Sequence, residues 1–336
     1  MKIVVFCIFA LSALFEICYT KEISLYFIDT NGNVMTTKSK MINSIRGYGF
    51  SEGVLPITFT NEFGFGYRNN MGYSDYWGNI VIKPSFYMPE GKINFNEGYA
   101  YVHVVNEQNR PIEDGIIDKT GRWIIKSTTK YKILSNISDG LCVVRDNDSD
   151  LYGYMNLMGL IVIPCIYGDA EPFYEGVAKV YISPKEGVLG YCFINKGGDF
   201  IFARKFSETK RFSEGLAPVT EEGGSIRKWG YTNKKGEIII KQNYIEAEPF
   251  SEGLALVQDS NSCLFGFINK KGNYEIKPRF IMARSFSEGY AHVVWEENSL
   301  LKKGYIDYSG KIVFEVNSNM VYGDFREGYA PFRENY

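Results

Sequence analysis

Along most of the chain the apolar residues come in short runs separated by glycines and polar turns. Ile80-Val81-Ile82, Ile161-Val162-Ile163, Ile238-Ile239-Ile240 and Ile312-Val313-Phe314 are β-branched or aromatic runs too short for helices. Gly253 is followed by Leu254-Ala255-Leu256-Val257, which offers apolar residues to both sides, the pattern of a strand covered on two faces. Beyond the first twenty residues no stretch holds a helical period over three turns, so an all-β chain is predicted.

The runs are joined by two phrases. The first places Asn or Asp three residues before Gly between two apolar strands, at Asp29, Asp75, Asp118, Asn156, Asn195, Asn233, Asn269 and Asp307. An Asn or Asp at the start of a type I turn bonds its own backbone, and Gly supplies the left-handed residue that returns the strand, so each copy predicts a bulged hairpin. Pro84, Pro164 and Pro278 follow the second strand and are expected to end its pairing. The second phrase places an acid before Gly, at Glu52, Glu97, Asp139, Glu175, Glu214, Glu252, Glu288 and Glu327. An acid in every copy reads as one cap per unit, its carboxylate accepting N–H groups of an adjacent turn, since catalysis needs one site.

The linked stretches Trp229-Gly230-Tyr231, Asn233-Lys234-Lys235-Gly236 and Phe250-Ser251-Glu252-Gly253-Leu254-Ala255 resemble the WG β-repeat family, over about residues 23–334. The namesake Trp stands only at Trp229 and gives way to Phe265 and Lys303 in the next copy and the last. The resemblance implies a repeat fold with binding and surface roles rather than a defined reaction.

Three short strands per unit cannot form an independent core, so the eight units must stack. Two closures fit. Three strands per unit and loosened N-terminal copies favour an open, solenoid-like superhelix. The alternative is a closed β-propeller, for which a leading hairpin and a lone last strand, Tyr329 to Arg333, are the permutation that zips first and last blades. Residues 21–336 read as one repeat domain, and a monomer is expected.

Residues 1–20, with Lys2, an apolar run from Ile3 to Phe15 and a small-residue end at Thr20, read as a secretory signal and place the chain outside the cell or at its surface. No membrane span is expected after it. With 37 basic and 39 acidic residues, net charge −2 and no basic cluster, nucleic acid is not an expected partner. Cys142, Cys165, Cys192 and Cys263 lie beyond the signal and allow three disulfide pairings; Cys142 stands in a slot filled elsewhere by Ala100, Ala178, Ala217 and Ala255, which equally suits a buried thiol. Asn136 and Asn147 head glycosylation acceptors in a eukaryotic host. Asp146, Asp148 and Asp150 alternate as ligands of an irregular Ca²⁺ loop do, but Leu151 and Leu157 replace the Gly and Glu of an EF-hand, so a polar turn is the default. His103 and His292 sit in strands of different repeats, and no metal, cofactor or nucleotide motif and no catalytic elbow is present.

Non-repeating residues gather in the loops Ile57–Met71, Val105–Asp114, Arg145–Tyr152, Ile182–Leu189, Thr220–Lys228, Gln258–Leu264 and Glu296–Lys303. They carry Glu62, Arg68, Glu107, Arg110, Lys185, Glu186, Glu221, Glu222, Arg227, Glu296 and Glu297, with Tyr67 and Tyr152. Such a mixed-sign rim suits a protein or carbohydrate partner, so the expected function is a non-catalytic binding scaffold. The alternative is an extracellular carbohydrate-active enzyme whose two carboxylates come from different repeats, ~5 to 9 Å apart. A third reading is a plain surface spacer.

Overall fold

The computed structural model describes residues 22–334 apart from 30–33, 41–50, 61–65, 76, 78, 88–93, 107, 109, 183–189, 221–227 and 317–319. The expected signal segment lies outside these residues. Among the described residues every element is a strand, in agreement with the short apolar runs.

The fifth unit shows the plan. Glu208–Thr209, Leu216–Thr220, Trp229–Asn233 and the first half of Ile238–Ala247 pair as successive antiparallel neighbours, a four-stranded blade. The leading strand is only two residues long, too short for a periodicity to reveal, which is why three strands were legible in the sequence and four are present. Tyr131–Ile133, Asp169–Ala170 and Met282–Ala283 repeat it in other units. The second half of Ile238–Ala247 crosses to pair with Ala255–Asp259, so one strand serves two units.

The turns are those the residues dictate. Asn233 Oδ1 accepts the N–H groups of Lys235 and Glu237, and Gly236 sits at φ 79°. Asp75, Asp118, Asn156, Asn195, Asn269 and Asp307 bond their turns in the same way; the Asp29 turn lies outside the described residues.

The prolines differ from expectation. Pro84, Pro164 and Pro278 lie inside the strands Ile80–Phe86, Ile161–Tyr167 and Tyr274–Phe280, not at their ends. In each the register slips: Tyr152 faces Tyr167 and Tyr154 faces Ile163, so a bulge intervenes. A residue without an N–H is tolerated at such a bulge. The bulged backbone presses on the repeat's glycine, because a Cβ at Gly153 would lie 2.5 Å from the Ile163 carbonyl and one at Gly230 2.4 Å from that of Ile240. In the fourth unit this slot holds Cys192. There the outer strand is reduced to the single bridges Ile194↔Phe200 and Tyr191↔Phe206.

Units interlock through aromatic pairs. Tyr73 meets Phe95, Tyr154 meets Phe173, Phe193 meets Phe212, Tyr231 meets Phe250, Phe267 meets Phe286 and Tyr305 meets Phe325, at centroid separations of 4.7 to 5.0 Å. Each pair joins one unit to the next, and all these rings are buried. The hydroxyls of Tyr154, Tyr231 and Tyr305 donate to the carbonyls of Glu171, Glu248 and Gly323, which satisfies the one polar atom each ring buries.

The all-β array of eight units holds, and between the two closures the order of preference reverses. Glu22–Asp29 pairs with Tyr329–Glu334, with Tyr26 opposite Phe332 and Asp29 opposite Tyr329. The eighth blade therefore runs Met320–Tyr322, Tyr329–Glu334, Glu22–Asp29, Val34–Lys40, built from both ends of the chain. The array is a ring, an eight-bladed propeller. The features that favoured an open array, few strands and loose N-terminal copies, concern the shape of a unit, whereas closure rests on a pairing between residues some 300 positions apart.

Candidate functional site

Each blade meanders, so its acid turn and its Asn/Asp–Gly turn lie at one end and its variable loop at the other. The ring thus has a turn face and a loop face. Contacts between the two turns bear this out: Lys234 Nζ reaches the Glu175 carbonyl at 2.7 Å and its carboxylate at 3.4 Å, and Lys119 and Lys270 reach Glu52 and Glu214.

On the turn face the eight acids have one role. Each stands at φ between 52° and 55°, followed by Gly in the same left-handed region, which makes the paired positive angles of a type I′ hairpin. Each carboxylate then accepts the N–H of the Gly in the following blade: Glu52 from Gly98, Glu97 from Gly140, Asp139 from Gly176, Glu175 from Gly215, Glu214 from Gly253, Glu252 from Gly289, Glu288 from Gly328 and Glu327 from Gly53, at 2.6 to 3.0 Å. A left-handed Glu is a strained choice, held because only a side chain can reach the next turn. Ser51, Ser138, Ser213, Ser251 and Ser287 add a parallel circle of bonds to the carbonyls of Phe95, Phe173, Phe250, Phe286 and Phe325. At Glu175 burial pushes the carboxyl up, but hydrogen bonds from Gly215, Glu214 and Lys234 outweigh it and leave the group below its usual range.

The loop face carries what does not repeat. Arg110, Glu296, Glu297 and Tyr152 lie among the described residues there, whereas Glu62, Glu107, Lys185, Glu186, Glu221, Glu222 and Arg227 lie outside them, as do the side chains of Arg68 and Tyr67. The loop at Asp146 is a self-bonded turn: Asp146 Oδ1 accepts from the N–H groups of Asp148 and Ser149, and Asp150 faces Arg145 at 3.6 Å. The carboxylates of Asp146 and Asp150 are thereby turned to backbone and guanidinium. No group of three metal-ligating side chains gathers among the described residues.

Asn136 is built into the frame. Its amide donates to Asn94 and its oxygen accepts from Tyr101 N–H, so the side-chain nitrogen that glycosylation would use is engaged; Asn147 is exposed, and its side-chain nitrogen donates to the Thr129 carbonyl. The four described cysteines are free thiols, and Cys142 is buried in the alanine slot, its thiol pushed up to about 12 by desolvation. His292 is held neutral, down to about 4, by burial and by Arg284 and Lys303.

One cluster on the loop face has no local motif in the sequence. In blade 2, Tyr87, His103, Asp114 and Ser127 lie side by side across the sheet, since Tyr87 bridges His103, His103 faces Asp114, and Ser127 N–H donates to the Asp114 carbonyl. Asp114 precedes Gly115 and so fills the slot of the namesake Trp, where other units have Tyr152, Trp229 and Phe265. Its carboxylate accepts the Ser127 and Tyr101 hydroxyls, the latter at 3.4 Å. The rings of Tyr87 and His103 stack at 5.2 Å and 25°, and Tyr87 remains 37% exposed. Burial lowers the pKa of His103 against the opposing pull of Asp114. Aligning the copies on their glycines, not on the Trp, is the signal that exposes this substitution.

The profile of the WG containing repeat matches residues 115–148, 152–182, 191–224, 229–262, 265–294 and 304–336, more than half of the chain. No curated protein matches. Among solved structures the chain is similar to a eukaryotic initiation factor, with TM-score 0.50, 8% identity and coverage of 88% of this chain and 96% of that one, a likeness of fold alone. It is also similar to BamB from Moraxella catarrhalis, with TM-score 0.46, 10% identity and coverage of 94% and 100%. A third similarity is to the β-propeller domain of the Trilobed protease from Pyrococcus furiosus, described as having an open velcro topology, with TM-score 0.44, 10% identity and coverage of 86% and 96%.

Proposed function

The chain belongs to the WG containing repeat family, and from that premise we propose that it is a non-catalytic binding scaffold, secreted or held at the cell surface, which takes a protein or glycan on its loop face. One observation carries the reading. Every repeated acid is consumed in the turn-face clasp, its carboxylate bonded to backbone of the following blade. The polar groups that vary from unit to unit, Arg110, Glu296 and Glu297 among them, are displayed at the opposite end, where a rigid ring presents loops of different length and charge. Among the described residues no helix is long and apolar enough to cross a membrane.

A glycan array and a panel of surface proteins, each repeated with hydrolysis assays on the hits, test the proposal. Binding without turnover that is weakened by Arg110→Glu or Glu297→Lys on the loop face, and not by Lys119→Glu on the turn face, supports it. Turnover lost on changing one Asp or Glu supports the enzyme reading instead. Binding moved only by the turn-face change overturns the choice of face.

A further inference from the structure

We propose that Tyr87, His103 and Asp114 on the loop face of blade 2 form a saccharide-binding site, with Tyr87 as the stacking platform and the carboxylate and imidazole as partners for sugar hydroxyls. The proposal rests on the loop-face reading above and names the ligand class and the place.

Three observations lead there. The four units that follow put an aromatic residue in this slot, Tyr152, Tyr191, Trp229 and Phe265, and this unit puts a carboxylate there. Such a half-buried charge is a cost the frame does not require, and no cation pairs with it among the described residues. Asp114 is also held in place, because Ser127 and Tyr101 both donate to Oδ2, and Ser127 Oγ is itself fixed by accepting the Ile133 N–H at 2.8 Å. Finally, Asp114 Oδ1, both ring nitrogens of His103 and the Tyr87 hydroxyl have no hydrogen-bond partner among the described residues, although their own scaffold is ordered by the bonds just given.

The chemistry selects a neutral polyol. Two metal-ligating groups are too few for a cation, and no third joins them among the described residues. A carboxylate at the centre opposes an anion. A neutral oligosaccharide has an apolar sugar face to lay on the side of Tyr87 that His103 leaves free, and hydroxyls on the neighbouring sugar that donate to Asp114 and exchange hydrogen bonds with a neutral imidazole.

The test uses the full chain with short neutral oligosaccharides of hexose and N-acetylhexosamine, read by calorimetry and by the ring proton shifts of His103. Wild type is expected to bind, and Tyr87→Ala, His103→Gln and Asp114→Asn to weaken binding by about tenfold or more each, the loss of one stacking or charged hydrogen-bond contact. Tyr181→Ala, at the slot of His103 two blades on, is expected to bind as wild type. Thermal melting separates misfolding from loss of contact, and His103→Gln, which leaves the Asp114 to Ser127 bond intact, keeps a readout if Asp114→Asn unfolds. Sugar binding indifferent to all three changes overturns the site while leaving the loop face as the binding surface. No binding to any sugar of the panel overturns the ligand class, and protein binding through the loop face is then judged by its own experiment.

Discussion

The carboxylate of Glu327 accepts the backbone N–H of Gly53, 274 residues away, at 3.0 and 3.1 Å from its two oxygens. The same bond occurs between every other pair of successive blades, but this one joins the last unit to the first, so it latches the ring. Because Glu327 is held at φ 52°, Glu327→Gly relieves backbone strain while removing the latch, and Glu327→Ala removes the latch and keeps the strain. Glycine is expected to cost about 1 to 2 kcal/mol, the worth of a charge-assisted bond less the strain relieved, and alanine roughly 1 kcal/mol more. Chemical denaturation of both variants measures this; an alanine variant as stable as wild type would show that the latch contributes nothing.

The glycines rank by what a methyl group would meet. At Gly253 a Cβ finds nothing within 4 Å, and only φ 86° resists it. At Gly236 the angle is similar, and the Cβ also falls 2.9 Å from Phe202 of the preceding blade. At Gly230 it meets the backbone oxygen of Ile240, which cannot step aside. Alanine is therefore expected to cost ~1 kcal/mol at 253, ~2 at 236 and ~3 or more at 230. Melting temperatures that fell in a different order would refute the assignment of these contacts.

How much of this was legible in the chain follows from the range of each interaction. The Asn233 to Gly236 turn is complete within its own residues, so its chemistry could be read directly. The capping role of Glu252 was legible as a role, but that its partner is Gly289 in the next blade depends on a packing of units that no local pattern encodes. Closure by Glu22–Asp29 against Tyr329–Glu334 is the extreme case, and an edge strand that looks like a cap in sequence becomes a staple in the fold. Pro164 suggests a stop because proline interrupts a ladder, and the bulge that accommodates it lies against Gly153 on the partner strand. Asp114 stands at the end of a variable loop and so carries no local signal, while its place before Gly115 makes it a substituted member of the repeat.

Acid should weaken the fold through His292. Its folded pKa is lowered to about 4 from an ordinary value near 6.5, so the native state favours the neutral ring. The sign follows: this contribution is fully present above pH ~6.5 and is lost as pH falls from there to ~4, where the unfolded chain takes up the proton first. For a group retaining some exposure, roughly 2 kcal/mol is at stake over that window. His292→Gln is expected to flatten the stability profile between pH 6.5 and 4 relative to wild type, as followed by urea denaturation at a series of pH values. Parallel profiles for the two proteins would remove His292 as the cause.

A ring and an open array respond differently to losing an end. In an open array the first hairpin is a cap, and a chain lacking residues 1–40 would leave the remaining stack folded and monomeric. In the ring those residues are half of the eighth blade, and without them Tyr329–Glu334 keeps only Met320–Tyr322 as a neighbour. Its other edge is then an unpaired strand next to an open gap between the first and seventh blades, a template for pairing with a second chain. The truncated protein is accordingly expected to melt well below wild type and to associate, seen as concentration-dependent dimers in sedimentation, and a peptide of residues 21–40 added in trans is expected to restore the monomer. A truncated chain that stays monomeric with an unchanged melting temperature would contradict the latch. The pairing of Tyr26 with Phe332 would then be incidental to the fold.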